Sequence, residues 1–101
     1  MHALTISFVQ GLPDDQYTAL CSHFVEASDA IDGLVAKVFV SQGDRAGGFY
    51  VFRDEAAADA YLAGPIVAEL SSIEALQDVQ VQRYEVDVEH TIGLPSPTAA
   101  R

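Results

Sequence analysis

The order of strand and helix patterns along the chain constrains its fold more than any other feature. Four segments have the alternation or β-branched composition of strands, and two have apolar residues at helical spacing. The strands are predicted over residues 3–9, 34–41, 48–53 and 79–89, and the helices over 13–31 and from Glu55 to Ile73, with an interruption at Gly64-Pro65. Because crossovers are right-handed and unknotted, the order βαββαβ predicts an α+β, ferredoxin-like fold: a four-stranded antiparallel sheet with the helices on one face.

The chain length of 101 residues fits one domain. We predict that this domain covers residues 1–89. Residues 90–101 carry two prolines and no core pattern, and they are predicted to form a C-terminal tail. Within the tail, Ile92 and Leu94 are candidates for docking on a partner subunit.

Helix boundaries are marked by residues with known preferences. Pro13 suits a first helical turn, and the acidic pair Asp14-Asp15 suits the positive end of the helix dipole. Gly33 is placed to stop the first helix. Asp54 is expected to cap the second helix through its side chain.

The two middle strands are apolar on both sides. A sheet covered by helices on one face and by water on the other alternates apolar and polar residues, but residues 34–41 and 48–53 do not. No further segment of the sequence is available to cover the second face. This pattern therefore predicts a homodimer that pairs through the sheet faces.

Two consecutive glycines, Gly47 and Gly48, precede the aromatic strand 48–53. Glycine weakens a strand interior, so its presence there needs a reason. One interpretation is a bulge where the strand enters a curved sheet. The alternative is that the missing side chains open the floor of a ligand cavity.

The charge balance argues against several classes of partner. Fifteen acidic residues face five basic ones, which gives a formal net charge of −10. Such a chain repels phosphate backbones and anionic membranes, so we expect no nucleic acid and no membrane as partners. No secretion signal is visible at the N-terminus, and the lone Cys21 fits a reducing compartment, so a cytoplasmic location is predicted.

Cofactor-binding motifs are absent from the sequence. The three histidines, His2, His23 and His90, lack the spacing of a helical metal site. There is no phosphate loop, no dinucleotide-binding glycine motif and no serine nucleophile elbow. The sequence therefore predicts neither a metal nor an organic cofactor.

The hairpin and second helix resemble a known family. The segments "GLVAKVF" and "AGGFYVFRDEAAADAYL", which include Lys37 and Tyr50, are similar to the signature of the YdhR-type monooxygenases of the dimeric α+β barrel superfamily. The resemblance implies two sheets packed into a shared barrel, with one cavity per subunit between helices and sheet. It also implies a small oxidoreductase, a cofactor-independent monooxygenase that acts on an aromatic or polyketide-like molecule.

Oxygenation without a cofactor needs a dry cavity, a base that forms an electron-rich phenolate, and hydrogen bonds that hold it. The ligand-pocket candidates are aromatic and weakly basic: Tyr17, His23, Tyr50, Tyr61 and Tyr84. Tyr17 lies on the apolar stripe of the first helix and is also consistent with a core position, and His23 is also consistent with a solvent-facing one. No single residue is assigned as catalytic.

Two other functions suit the same residues. A base beside an apolar cavity also suits a cyclase or isomerase, which abstracts a proton without consuming oxygen. The lack of a strong acid–base pair in the sequence suits a non-catalytic ligand-binding dimer.

Lys37 is a cation within an apolar strand. A buried and unpaired ammonium is costly, so the side chain must reach solvent, pair with an anion or lie in a cavity. We predict that it lies at the dimer interface and pairs with Glu85 or Asp87 of the other subunit, since sheet closure can bring the second strand beside the partner's fourth.

Overall fold

A computed structural model describes residues 1–95, so residues 96–101 of the predicted tail lie outside the described part. The elements are β1 (His2–Gln10), α1 (Asp14–Ala27), β2 (Leu34–Gln42), β3 (Arg45–Phe52), α2 (Glu55–Leu62), α3 (Pro65–Ser72) and β4 (Leu76–Glu85), with short 3-10 turns at Ser28–Ala30 and Val88–His90. The strands form one antiparallel sheet in the order β2-β3-β1-β4. The predicted ferredoxin-like α+β fold is confirmed.

The core lies between the sheet and the helices. Alternate residues of the central strands, among them Leu4, Ile6 and Phe52, point to this side and are fully buried. Phe24 of α1 and Tyr61 of α2 belong to the same buried cluster. Central strands supply most of the core because they have a neighbouring strand on each edge and helices above them.

The first helix is shorter than predicted. It begins at Asp14 with Pro13 just before it, and it ends at Ala27 rather than at residue 31. The Ser28 hydroxyl donates to the Val25 carbonyl at 2.6 Å, and the chain tightens there into a 3-10 turn. Short hydroxyl side chains compete in this way with the backbone ladder.

The second helical segment behaves as the sequence indicates. The Asp54 carboxylate accepts the Ala57 N–H at 2.8 Å, which confirms the cap. Gly64-Pro65 divides the segment into α2 and α3, with Pro65 in the first turn of α3 where its missing N–H costs nothing.

The predicted bounds of the last strand, 79–89, are wrong at both ends. β4 begins three residues earlier, at Leu76, because a bulge shifts its pairing with β1 between Ser7 and Val9 and hides the alternation. Asp78 adopts a φ of 51° in this region. At the other end the Asp87 carbonyl accepts the His90 N–H, which turns the chain out of the sheet.

Gly47 and Gly48 do not form the predicted bulge. The hairpin turn is Gly43-Asp44, so β3 already begins at Arg45, and pairing with both neighbouring strands continues in register through the two glycines. A Cβ on Gly47 would lie 1.9 Å from the Ile6 carbonyl oxygen. Close approach of the β1 backbone, rather than a bulge, is the reason for this glycine.

The opposite face of the sheet carries apolar side chains in the open. Val38, Val40 and Phe49 are between two and three fifths exposed there. In the tail Ile92 is almost fully exposed, and its docking on a second chain stays a prediction. Within residues 1–95, these side chains form an apolar surface that nothing covers.

We expect Gly47→Ala to lower the free energy of unfolding by at least about 2 kcal/mol, because the new methyl group meets backbone that cannot move away. Gly48→Ala is the matched comparison. Its Cβ would meet the Tyr50 ring at 2.8 Å, and a side chain can swing aside, so we expect a loss of about 1 kcal/mol. Urea unfolding of both variants measures the difference. Equal losses would show that backbone approach is not what requires Gly47.

Candidate functional site

Lys37 lies inside a group of aromatic rings. Its Nζ is 4.3 Å from the ring centroid of Phe39, 4.8 Å from that of Tyr50 and 5.5 Å from that of Phe24. These distances are in the range of cation–π attraction. We call these three rings the lysine cage.

Strand register assembles the lysine cage. Lys37 on β2 pairs with Tyr50 on β3, and Phe39 pairs with Gly48, so all four residues face the helices. Gly48 has no side chain, and the Tyr50 ring lies against it. Phe24, the buried residue of α1, completes the group from above the sheet.

Burial controls the ionisation of this region. Desolvation lowers the pKa of Lys37 to about 8, and the nearby Cys21 opposes the shift. Burial raises the pKa of Tyr17, whose hydroxyl lies beside Cys21. Burial also raises the pKa of Tyr50, and the neighbouring Tyr61 raises it further. At neutral pH both tyrosines are therefore neutral hydrogen-bond donors.

Tyr61 connects the lysine cage to a larger space. Its ring centroid lies 5.2 Å from that of Tyr50 and 5.4 Å from that of Phe52. Burial raises the pKa of Tyr61 as well, against a smaller opposing effect of the Tyr50 hydroxyl. Tyr61 thus presents a protonated hydroxyl between the sheet and α2.

A cleft of about 530 Å³ opens beside Tyr61, between the end of α1 and the α2–α3 pair. Alanines from both sides line it, because their methyl groups are too small to fill the gap: Ala27, Ala30, Ala56, Ala57 and Ala60. Arg53 and Asp54 lie at its polar rim. By contrast, the cavity between Tyr17, Cys21 and the lysine cage holds only about 20 Å³, roughly one water molecule.

The structure brings three of the five ligand-pocket candidates together. Tyr17 and Tyr50 line the small cavity, and Tyr61 lines the cleft. His23 lies on the other side of α1, where its Nε2 is 3.0 Å from Glu69. Tyr84 is half exposed and hydrogen-bonds to Gln82. Neither His23 nor Tyr84 lines the cleft or the small cavity.

The predicted pairing of Lys37 with Glu85 or Asp87 of a second subunit stays a prediction. In the single chain the ammonium lies on the helix-facing side of the sheet, and Asp87 is 2.9 Å from His90 Nδ1.

The sequence did not point to two parts of the site. Phe24 and Phe39 read as ordinary core and strand residues. Only the packing of α1 on the sheet brings Phe24 to Lys37, and only the three-dimensional structure shows that the Phe39 ring lies beneath the ammonium. The alanine-lined cleft had a weaker signal, the run of alanines in α2, which is also what a well-formed helix would contain.

Within residues 1–95 the structure shows neither a candidate metal site nor a candidate membrane-spanning helix. Within residues 1–95 no three His, Cys, Asp or Glu side chains are grouped so that they could hold a metal ion. No helix in the same range has the length and apolar character needed to cross a membrane.

Comparison with protein families identifies the class of the chain. Residues 3–93 match the family model described as "Putative mono-oxygenase ydhR", and the chain belongs to this family. Comparison with the curated proteins gives no match.

Solved structures share the fold. The NE2512 protein of unknown function from Nitrosomonas europaea is 26% identical, with a TM-score of 0.69 and 94% of both chains covered. A "putative antibiotic biosynthesis monooxygenase" from Deinococcus radiodurans is 17% identical, with a TM-score of 0.63, over 85% of this chain and 92% of that one. The heme-degrader MhuD from Mycobacterium tuberculosis, with two hemes bound in its active site, is 16% identical, with a TM-score of 0.53, over 85% and 96%.

The raised pKa of Tyr50 predicts a loss of stability at high pH. In the unfolded chain a tyrosine ionises with a pKa of about 10, whereas burial keeps Tyr50 protonated in the folded chain above that pH. Ionisation therefore favours the unfolded state, and the free energy of unfolding falls as the pH rises above about 10. Between pH 8 and pH 10.5 the wild type should lose about 0.8 kcal/mol more of its free energy of unfolding than Tyr50→Phe. Urea unfolding at both pH values measures this difference.

The exposed Tyr84 supplies the control for this experiment. Tyr84→Phe removes a hydroxyl at an exposed position and so controls for the loss of one tyrosine from the chain. If Tyr50→Phe and Tyr84→Phe behave alike, Tyr50 ionises in the folded chain as readily as in the unfolded one.

Proposed function

We propose that the chain is a small monooxygenase that acts without a cofactor on an aromatic or polyketide-like molecule. Its substrate binds in the alanine-lined cleft. The observation that carries this proposal is the cleft itself: about 530 Å³, mainly apolar, with the buried Tyr61 among the residues that line it. Sites for small molecules have volumes of about 300–1,000 Å³ and a few placed polar groups.

The reaction can be balanced with oxygen and substrate alone. A phenol that carries a neighbouring CH₂ group gives its proton to water and becomes an electron-rich phenolate, which is oxidised by O₂. The phenolate oxygen takes a proton back when the product forms. One oxygen atom enters the CH₂ carbon as a carbonyl, and the other leaves as water with the two displaced hydrogens. All four electrons come from the substrate.

The chain contributes binding and the exclusion of water. The alanine walls hold the flat ring, and the neutral Tyr61 hydroxyl donates a hydrogen bond to its oxygen. Such a bond strengthens as negative charge develops on the substrate.

Family membership and fold support the proposal. The matched family is described as a mono-oxygenase family. The similar fold of MhuD binds hemes, so this architecture holds flat conjugated ligands in at least one protein.

A ligand-binding module without catalysis is the second candidate. It is favoured by the ionisation state of the cleft, because burial raises the pKa of Tyr61 and leaves it unable to act as a base at neutral pH. Binding of a hydroquinone without oxygen consumption would favour this candidate over the monooxygenase.

We expect a bulky side chain in the cleft to abolish turnover. Ala60 lines the cleft from an exposed helix position, so Ala60→Phe fills the space without disturbing the core. Oxygen consumption is measured with a panel of hydroquinones and anthrone-type phenols. The variant should lose at least about tenfold in kcat/KM, equivalent to about 1.4 kcal/mol.

The matched control is Ala68→Phe, an exposed position on α3 that does not line the cleft. It should retain wild-type turnover. If no phenol consumes oxygen with the wild type, or if both variants behave alike, the proposal is wrong. Product formation in the absence of oxygen would indicate a cyclase or isomerase instead.

We further propose that the chain is a homodimer that buries the apolar sheet face formed by Val38, Val40 and Phe49. Stable pairs bury about 1,600 Å² in total, and two such faces supply apolar area at the centre of an interface.

Light scattering at micromolar concentration should give twice the chain mass of 10.8 kDa. Val40→Glu should shift the mass to that of the monomer, whereas Ser22→Glu on the exposed side of α1 should not. A monomeric wild type would contradict the proposal.

A further inference from the structure

Among residues 1–95, Lys37 differs from the three arginines in having no anionic partner within that range. Arg45 bonds to Asp78 at 2.8 Å, Arg53 lies 3.4 Å from Asp54, and Arg83 pairs with Asp59. Within residues 1–95, Lys37 is the one lysine or arginine without an ion pair or a hydrogen bond. This is unusual in a chain with fifteen acidic residues.

A groove runs along the β2 edge beside this ammonium. It has a volume of about 180 Å³ and lies between the end of α1 and the start of β2. Its walls include the apolar side chains of Val25, Leu34 and Ala36, and Lys37 and Phe39 form one end. Lys37 and Phe39 also line the small inner cavity, so they divide the groove from the core.

We propose that this groove is a second binding site, separate from the alanine-lined cleft, for an aromatic carboxylate of one or two rings whose carboxylate group pairs with the Lys37 ammonium. The charge of the ligand is complementary to the unpaired cation. The aromatic part of the ligand suits the apolar side chains of the groove and the Phe39 ring, which offer contact area. The volume is below that of sites for drug-sized ligands, which limits the occupant to one or two rings.

Binding should be linked to protonation of Lys37. The cage and the core desolvate the amine and lower its pKa to about 8, so it is mostly charged at pH 7 and mostly neutral at pH 9.5. A carboxylate binds the charged form, so affinity is highest below pH 8 and falls as the pH rises. The other titratable groups that face Lys37 are Tyr17 and Cys21 on α1 and Tyr50 on β3. Burial raises the pKa of both tyrosines, so they remain neutral over this range.

The test is calorimetric titration of the full chain with 2-naphthoate. Its uncharged analogue 2-naphthamide has the same rings and serves as the ligand control. We expect 2-naphthoate to bind more tightly than the amide at pH 7. Its affinity should fall about thirtyfold between pH 7 and pH 9.5, which is the change in the charged fraction for a pKa of about 8. The pH series is repeated with Cys21→Ser, in which the fall in affinity should begin at a lower pH, because Cys21 raises the pKa of Lys37.

Two variants at position 37 separate charge from shape. Lys37→Met should lower the affinity for 2-naphthoate at least tenfold at pH 7 and leave that for 2-naphthamide unchanged. Lys37→Arg keeps a cation at every pH of the series, so it should retain binding and lose the pH dependence. Retained binding in Lys37→Met, or equal affinities of the two ligands for the wild type, would overturn the proposal.

Two further variants identify the competing arrangements. Ala60→Phe fills the cleft, so loss of 2-naphthoate binding in this variant would place the probe there and overturn the proposal. Glu85→Gln and Asp87→Asn remove the acids predicted to pair with Lys37 across a dimer. If the wild type fails to bind 2-naphthoate and either variant gains binding, Lys37 is already paired with the partner subunit and the groove is not a ligand site.

Discussion

The close pairing of β1 with β3 is the constraint on which the rest of the structure depends. Eight consecutive residues of each strand are in register, from His2 opposite Phe52 to Val9 opposite Arg45. Gly47 permits the approach because a Cβ would strike the Ile6 carbonyl. With these two strands at the centre, Tyr50 and Phe52 face the helices, and the register of the hairpin then brings Lys37 opposite Tyr50.

Small residues in α2 set the height of the helices above this sheet. Ala57 and Ala58 are buried, and a Cβ on Gly33 would lie 2.6 Å from the Cβ of Ala57, so the helix lies close to the start of β2. The large Tyr61 ring fills the space above Tyr50 and Phe52. On the side toward α1 the small side chains of Ala56 and Ala60 face the gap, and the cleft remains open there. Close packing and an open site therefore arise from the same helix.

Patterns that depend on neighbours in sequence predicted the structure well. The order of strands and helices along the chain, the Asp54 cap and the break at Gly64-Pro65 each follow from local chemistry. Features that depend on contacts distant in sequence were not predictable. The start of β4 is hidden by a bulge against β1, and the reason for Gly47 is a backbone from another strand. The lysine cage combines α1, β2 and β3, so no window of sequence contains it.

The position of Lys37 among aromatic rings, rather than a shortage of acids, leaves it without an anionic partner in residues 1–95. Arg45 joins β3 to Asp78 of β4, and Arg83 joins β4 to Asp59 of α2. Each pair is at the surface, where such contacts add little stability, but together they occupy the cations that acids can reach from solvent. Lys37 lies behind Phe39 and Phe24, where no carboxylate of residues 1–95 pairs with it.

The same arrangement selects among anions. A net charge of −10 repels free anions from the surface, so attraction to one ammonium does not suffice to hold a small inorganic ion. An aromatic carboxylate differs because burial of its rings against Val25, Leu34 and Phe39 contributes a second, charge-independent free energy. Burial removes part of the water around the Lys37 amine, so its charged form is less stable there than in solution. A bound carboxylate supplies part of the electrostatic stabilisation that this water would give. The groove therefore favours amphipathic anions over inorganic ones.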